Sequence, residues 1–190
     1  MSLPFSTEAR RQFDPVAQQF GLACVACTEW GLRYESDKVF LKVNFDNDRS
    51  YELAVEIGQR DDRSPGPPFS LAEVLRLRGV QDATFVGGLI VSDFARLRDI
   101  LARLAELTIR HASDFLMGSE LSFVQVAKLR EKESAEFELA SELRYVRSTT
   151  EAAWAVRDYK RVVKALESVE PHLSQAERRR LEYARKQLRP

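Results

Sequence analysis

Two cysteines three residues apart, Cys24 and Cys27, are the first residues in the sequence whose types and spacing could do chemistry. Such a pair holds a metal when both sulfurs reach one ion, and it does redox chemistry when it lies at a helix N-terminus. The surrounding residues predict a strand, in which side chains three residues apart point to opposite faces. We therefore expect two small, buried apolar residues here, with no metal or redox site.

A second group of residues has the alternate spacing of calcium-loop ligands: Asp46, Asp48, Ser50 and Glu52. A calcium loop also needs glycine at its sharp turn and a carboxylate at its end, and the sequence has Tyr51 and Ile57 at these places. Asp and Asn side chains stabilise tight turns through bonds to their own backbone. The segment predicts a turn between two strands and no cation site.

Catalytic patterns are missing from the sequence. His111 and His172 belong to no nucleophile or metal-ligand motif, and we find no phosphate loop, nucleophile elbow or paired-carboxylate signature. His111 and Asp114 could form an acid–base pair, although a histidine near a helix C-terminus also complements the helix dipole. We predict no catalytic residue, metal or cofactor. A site assembled by the fold, around His111 and Asp114 or around Asp61 and Asp62, stays an alternative.

Two surfaces are candidates for partner binding. If Val39, Leu41 and Val43 face the core, aromatic residues project from the other side of the sheet and form a possible protein interface with a nearby lysine: Trp30, Tyr34, Phe40 and Lys42. The alternative is a second helix layer that covers them. The C-terminal helix carries a possible anion-binding group: Arg178, Arg179, Arg180 and Arg185. The alternative is ordinary solvation with a favourable helix dipole.

Strands, in which apolar and polar side chains alternate, must position the residues of the sheet described above. Val39–Phe45 and Tyr51–Ile57 alternate apolar and polar side chains, which predicts an antiparallel hairpin. Leu22–Thr28 and Trp30–Glu35 complete a meander of three or four strands within residues 22–59. The proline-rich segment Arg60–Pro68 cannot continue the sheet, since prolines remove ladder donors.

Helical signals flank this sheet. Asp14 before Pro15 predicts a short helix at 14–20, and Ser70 to Glu73 is a capping box that starts helices over 70–130. Ser92 is expected to cap an amphipathic helix whose apolar residues pack on the sheet: Phe94, Leu97, Ile100, Leu101, Leu104 and Leu107. Val86–Leu89 fits either a short strand or a buried connection. The sequence thus predicts an α+β fold with an all-helical C-terminal segment.

The charged run Arg130–Glu133 predicts a boundary between an α+β domain, 1–130, and a helical domain, 131–190. Helices are expected from about Glu120 to Glu131 and from Ser134 to Val146, and Ser174 starts a closing helix. The preceding hairpin resembles part of a tetratricopeptide repeat at Asp158-Tyr159, Val162 and Ala165-Leu166. The sequence holds one copy, so we infer repeat-like packing without a peptide groove.

Composition excludes several classes of protein. The 190 residues include 29 basic and 29 acidic side chains and 44% hydrophobic residues, which is typical of a globular chain without an overall field for nucleic acid. No run approaches the ~18 apolar residues of a membrane span, and the N-terminus lacks the pattern of a signal peptide. We therefore expect a cytoplasmic protein with no membrane partner.

The order of elements resembles a group of short bacterial α+β proteins over residues 5–130, on the segments Tyr51–Gly58, Phe69–Leu75 and Phe115–Gly118. Small α+β proteins of this kind resemble the immunity proteins of bacterial toxin systems. The resemblance implies a non-catalytic protein that binds another protein, as an immunity or adaptor protein. The alternatives are an enzyme or small-ligand binder, and a structural homodimer.

Overall fold

The computed structural model describes residues 5–60, 67–81, 83–91 and 96–189. A helix, an antiparallel sheet and a long helical segment follow one another along the chain. The predicted α+β fold is confirmed. The chain forms two compact units, Met1–Arg130 and Glu131–Pro190, which we call the sheet unit and the helical unit.

The sheet is a five-stranded antiparallel meander in which each strand pairs with the next along the chain. Its strands are β1 (Ala23–Cys27), β2 (Gly31–Glu35), β3 (Val39–Phe45), β4 (Leu53–Gln59) and β5 (Phe69–Ser70). The two-residue β5 follows the proline-rich segment, so the sheet has one strand more than the upper limit of the three or four that the sequence predicts. Positions 61–66 of that segment lie outside the described residues.

Alternation along β3 and β4 gives the sheet one buried face. Val39, Leu41 and Val43 are fully buried, and each lies directly opposite a residue of β4 whose side chain points the same way. The helices α1 (Phe5–Gln19), α2 (Leu71–Leu77), α3 (Ala83–Val86) and α4 (Leu97–Leu116) belong to the same unit. Residues of α1, α2 and α4 join those of β3 and β4 in one hydrophobic core.

The N-terminal helix differs from its prediction. A single helix, α1, runs through Pro15, and Asp14 lies within it instead of capping it. An interior proline costs about 3 kcal/mol. The cost is offset because Phe5, Phe13 and Val16 are all buried, and each large buried side chain contributes about 1.5–3 kcal/mol.

Two other helix predictions have clear outcomes. Ser70 and Glu73 form the expected capping box at the start of α2. Leu97, Leu101 and Leu104 of α4 are buried as expected, whereas Ser92 and Phe94 lie outside the described residues.

Val86–Leu89, which fits either a short strand or a buried connection by sequence, has features of both in the structure. Val86 ends the short helix α3, and after Gly88, whose φ is +78°, the chain runs beside the start of β4. The Leu53 amide donates to the Leu89 carbonyl at 2.9 Å, and an isolated bridge joins Glu52 to Ile90. Leu89 is buried, as expected of a connection that closes the core.

The C-terminal helices are α5 (Glu120–Ala155), α6 (Tyr159–Glu167) and α7 (Gln175–Gln187). The prediction of two helices over 120–146 is wrong, because α5 is continuous for 36 residues. Its charged run contains good helix formers and no proline or glycine, so nothing local interrupts it. Ser174 caps α7 through the predicted capping box. No helix among the described residues is both long and apolar enough to cross a membrane.

Candidate functional site

The aromatic interface predicted on the sheet is not formed as a cluster. Tyr34 is 1% exposed and lies opposite Leu41, on the buried face, where its hydroxyl donates to Asp14 Oδ1 at 2.7 Å. Trp30 is partly buried, with its ring centre 5.8 Å from that of Phe45. The expectation that Tyr34 projects outward is therefore wrong. Burial, together with the hydrogen bond to Asp14, raises the pKa of the phenol.

Phe40 and Lys42 do lie on the opposite face of the sheet, but both side chains contact neighbouring residues of the sheet. The Arg33 guanidinium stacks on the Phe40 ring at 4.1 Å from its centre. The ring also lies against Gly58, where an added Cβ would be 2.3 Å from the ring. Lys42 Nζ pairs with Glu56 Oε2 at 3.4 Å. This face is polar and internally paired, so it offers a partner few unpaired groups.

The basic residues of α7 are mostly engaged within the helical unit. Arg180 forms an ion pair with Glu151, and Arg185 Nη2 lies 2.8 Å from Glu167 Oε1. Arg178 Nε donates to a backbone carbonyl at 3.2 Å, while Arg179 is exposed. Because these contacts satisfy three of the four guanidinium groups, the row is explained by packing of α7 on its neighbours.

His111 and Asp114, one of the two alternative catalytic groups, do not form an acid–base pair. Asp114 accepts hydrogen bonds from the Ser122 hydroxyl and from Arg78, and His111 is half-buried on the same helix. Partial burial opposes ionisation of Asp114, but these two hydrogen bonds lower its pKa overall. The carboxylate thus joins α4, α2 and the start of α5. Asp61 and Asp62 lie outside the described residues.

In the acidic turn between β3 and β4, the carboxylate oxygens of Asp46 accept hydrogen bonds from other residues of the same turn. Asp46 accepts from the backbone amides of Asp48 and Arg49, both at 3.1 Å, and from the Ser50 hydroxyl at 2.9 Å. The Ser50 hydrogen bond, followed by the amides, lowers the pKa of the Asp46 carboxyl. This is the turn chemistry that the sequence predicts.

The helical unit contains a groove that the sequence did not predict, with a volume of about 530 Å³. One wall consists of residues on α5, and the other consists of residues on α6. They are Glu142, Tyr145, Val146 and Thr149 on α5, and Arg161, Lys164, Ala165 and Ser168 on or next to α6. Tyr145 is 72% exposed and contributes to the lining of the groove.

A tight turn positions the two walls. Arg157 adopts a φ of +58°, and the Asp158 amide donates to the Ala153 carbonyl at 2.9 Å, so the chain reverses direction after α5. Asp158 then caps α6 by accepting from the Arg161 amide at 3.0 Å. Val162 of α6 and Val146 of α5 are buried in the core of this unit. The residues that line the groove recur every three or four positions along each helix, so on each helix they share one face.

Charge is uneven across the groove. Arg161 and Lys164 are exposed cations on the α6 wall, and Glu142 lies on the α5 wall. Tyr145 and Ala165 supply apolar surface between them. An aromatic side chain beside two cations provides contacts for an apolar group and for a carboxylate of a ligand.

Sequence reasoning missed this site because the groove depends on how two helices pack. Its one local signal is Tyr145 directly before the buried Val146, since adjacent helical positions do not face the same core. The sequence also placed the cysteines wrongly: Cys24 and Cys27 are both exposed and free. They lie on β1, an edge strand with one neighbour, in which all five residues are exposed.

No group of three or more His, Cys, Asp or Glu side chains that could hold a metal ion occurs in the part of the chain that the structure describes. Comparison with known proteins found no matching family model, no matching curated protein and no matching solved structure.

Proposed function

We propose that the protein acts by binding another protein, and that the groove of the helical unit holds a short acidic segment of that partner with one large apolar side chain. The observation that carries the proposal is Tyr145, 72% exposed at the edge of a groove of about 530 Å³. Tyrosine is one of the residue types that are enriched at the hot spots of protein interfaces.

The charge of the groove favours an acidic partner. Arg161 and Lys164 lie three residues apart on the α6 wall, whereas some other cations of this unit are paired with carboxylates, such as Arg147 with Glu177 at 2.7 Å. Docking of a carboxylate near Arg161 and Lys164 would form charge-assisted hydrogen bonds. Such a role agrees with an adaptor or an immunity protein of a toxin system, which the sequence resemblance implies.

The test starts from a displayed library of random peptides selected on the full chain. Selected peptides should combine acidic residues with an aromatic or large aliphatic residue, and calorimetry then gives their affinity. Tyr145→Ala should weaken binding by about 30-fold, the effect of losing roughly 2 kcal/mol at an anchor. Phe137→Ala is the matched control, because Phe137 is 74% exposed on the same helix and does not line the groove.

Charge reversal supplies an independent arm. Lys164→Glu should lower the affinity for the same peptides without making that affinity more dependent on salt concentration. Arg179→Glu, which changes an exposed residue of α7 outside the groove, should leave the affinity unchanged. Peptides that bind equally well to the wild type and to Tyr145→Ala and Lys164→Glu would refute the groove as the binding site.

The homodimer alternative predicts a different result. Light scattering over a dilution series would show a dimer that dissociates, and Tyr145→Ala would shift the dissociation to higher protein concentration. A monomer at all concentrations, together with peptide binding, supports the proposed function.

A further inference from the structure

We propose that Cys24 and Cys27 form a two-thiolate site for a soft monovalent metal ion, Cu(I), at the free edge of the sheet. This site is separate from the groove of the helical unit. It rests on a feature of β1 that the amino-acid pattern does not show.

The feature is a β-bulge between Cys24 and Ala26. Cys24 lies opposite Tyr34 and Cys27 lies opposite Leu32, while Val25 has no partner in the register. Residues directly opposite each other in an antiparallel ladder project from the same face, and so do strand residues two apart. Since Leu32 and Tyr34 share one face, the inserted residue brings both thiols to that face. A regular strand would have separated them.

The spacing of the thiols fits a shared ion better than a disulfide. Cys24 and Cys27 lie opposite residues two positions apart, which corresponds to about 7 Å along the sheet. A disulfide needs Cβ atoms about 3.5–4.5 Å apart. Two sulfurs on opposite sides of one ion lie about 4.6 Å apart, twice a metal–sulfur distance of about 2.3 Å, and rotation about χ1 can supply the difference.

The surroundings of the thiols allow access and provide a positive charge. Both cysteines are exposed, and the thiol of Cys24 makes only a long contact, 3.6 Å, with the Ala26 carbonyl. Arg10 pairs with Asp14 at 3.1 Å, and Asp14 also accepts a hydrogen bond from the hydroxyl of Tyr34, the residue opposite Cys24. These contacts place the Arg10 guanidinium on the face of the sheet that carries the two thiols, where its positive charge favours an anionic dithiolate complex.

The number of ligands selects the ion. Zinc in protein sites is normally four-coordinate, and no set of three or more suitable side chains occurs among the described residues. Thiolates are soft ligands that select Cu(I), an ion that two thiolates can satisfy. Binding releases the two thiol protons to solvent, forms two copper–sulfur bonds and changes no oxidation state.

The experiment is a competition titration of the reduced full chain with Cu(I) and a chromogenic chelator, bicinchoninate, without oxygen. The wild type should hold one copper per chain as a monomer. Cys24→Ser should bind at least about tenfold more weakly, a difference of about 1.4 kcal/mol. The fold of each variant is checked by circular dichroism.

Two further variants separate the bulge from the mere presence of two thiols. The double variant Ala26→Cys with Cys27→Ser keeps two exposed thiols, but position 26 lies opposite Arg33, on the other face, so copper binding should weaken to the level of Cys24→Ser. Deletion of Val25 makes the two cysteines alternate neighbours on one face of a regular strand, so it should retain binding.

Three outcomes would overturn the proposal. They are equal binding by the wild type and Cys24→Ser, equal binding by the wild type and the double variant, and a copper ion shared between two chains, seen as half an ion per chain in a dimer. Peptide binding in the groove is unaffected by any of these results, since the groove lies on α5 and α6.

Discussion

Gly58 and Phe40 form a cross-strand pair whose coupling can be measured. Phe40 lies opposite Gly58, and a Cβ at position 58 would be 2.3 Å from Cζ of the ring and 2.5 Å from Cε1. No real side chain tolerates such contacts, so Gly58→Ala must displace the ring. The ring would then move away from the Arg33 guanidinium, which now lies 4.1 Å from its centre.

Two opposing contributions set the change in the free energy of unfolding that we expect for Gly58→Ala. Replacing a strand glycine by alanine stabilises the fold by about 0.5–1 kcal/mol, because it restricts the unfolded chain. Overpacking against Phe40 costs about 1–3 kcal/mol, and this includes the weakened contact with Arg33. We therefore expect Gly58→Ala to destabilise the sheet unit by about 1 kcal/mol. In a Phe40→Ala background the obstacle is gone, and Gly58→Ala should stabilise it by about 0.5 kcal/mol.

The assay is urea unfolding followed by tryptophan fluorescence. The chain has two tryptophans, Trp30 in the sheet unit and Trp154 in the helical unit, so all variants carry Trp154→Phe to leave Trp30 as the probe. The double-mutant cycle gives the coupling free energy directly. If Gly58→Ala has the same sign and size with and without Phe40, the steric argument is refuted.

Two further predictions concern ion pairs. The hydrogen bond from Arg147, followed by those from Ser174, holds the pKa of Glu177 at about 2, below its usual 4.5, so this carboxylate stabilises the fold above about pH 4.5 and the effect is lost as pH falls towards 2. Glu177→Gln should flatten the dependence of unfolding midpoint on pH in that window. Arg130→Lys should cost about 1–2 kcal/mol, because a lysine cannot replace the guanidinium contacts with Glu73 Oε1 at 2.6 Å and with the Phe69 ring at 4.1 Å.

Matched substitutions control both predictions. Glu182→Gln changes an exposed residue of the same helix, and it should leave the pH profile of the wild type intact. A Glu177→Gln profile as steep as the wild type would contradict the assignment. Lys128→Arg exchanges an exposed cation on α5 and should be neutral. An equally small effect of Arg130→Lys would show that the fork geometry contributes nothing.

The sequence predicts which residues of the sheet are buried where alternation is strict. Side chains of a strand alternate between its two faces. Val39, Leu41 and Val43 are therefore buried together, because only one orientation of the strand places all three on the core side. The prediction of Tyr34 failed because its exposure depends on the register of β2 against β3, which brings it opposite Leu41. Helix α1 shows a similar limit, since tertiary burial of Phe13 and Val16 outweighs the local signal of Pro15.

The candidate groove was beyond sequence reasoning for a different reason. Each of its walls is one face of a single helix, and the concavity forms because the turn at Arg157 and Asp158 sets the two helices side by side. The sequence pattern of a helix indicates which of its own faces is buried, but not how far the next helix lies from it. Tyr145 could only be flagged as an aromatic residue out of phase with its buried neighbour Val146.

The cysteine pair shows how one unpaired residue changes a chemical conclusion. In a regular strand, Cys24 and Cys27 would point to opposite faces and could not share a metal ion. A bulge adds one residue and therefore inverts the parity of every position beyond it. Edge strands accommodate bulges most readily because only one ladder is disturbed, and β1 is an edge. Spacing along a strand therefore decides which side chains share a face only together with the register of its partner.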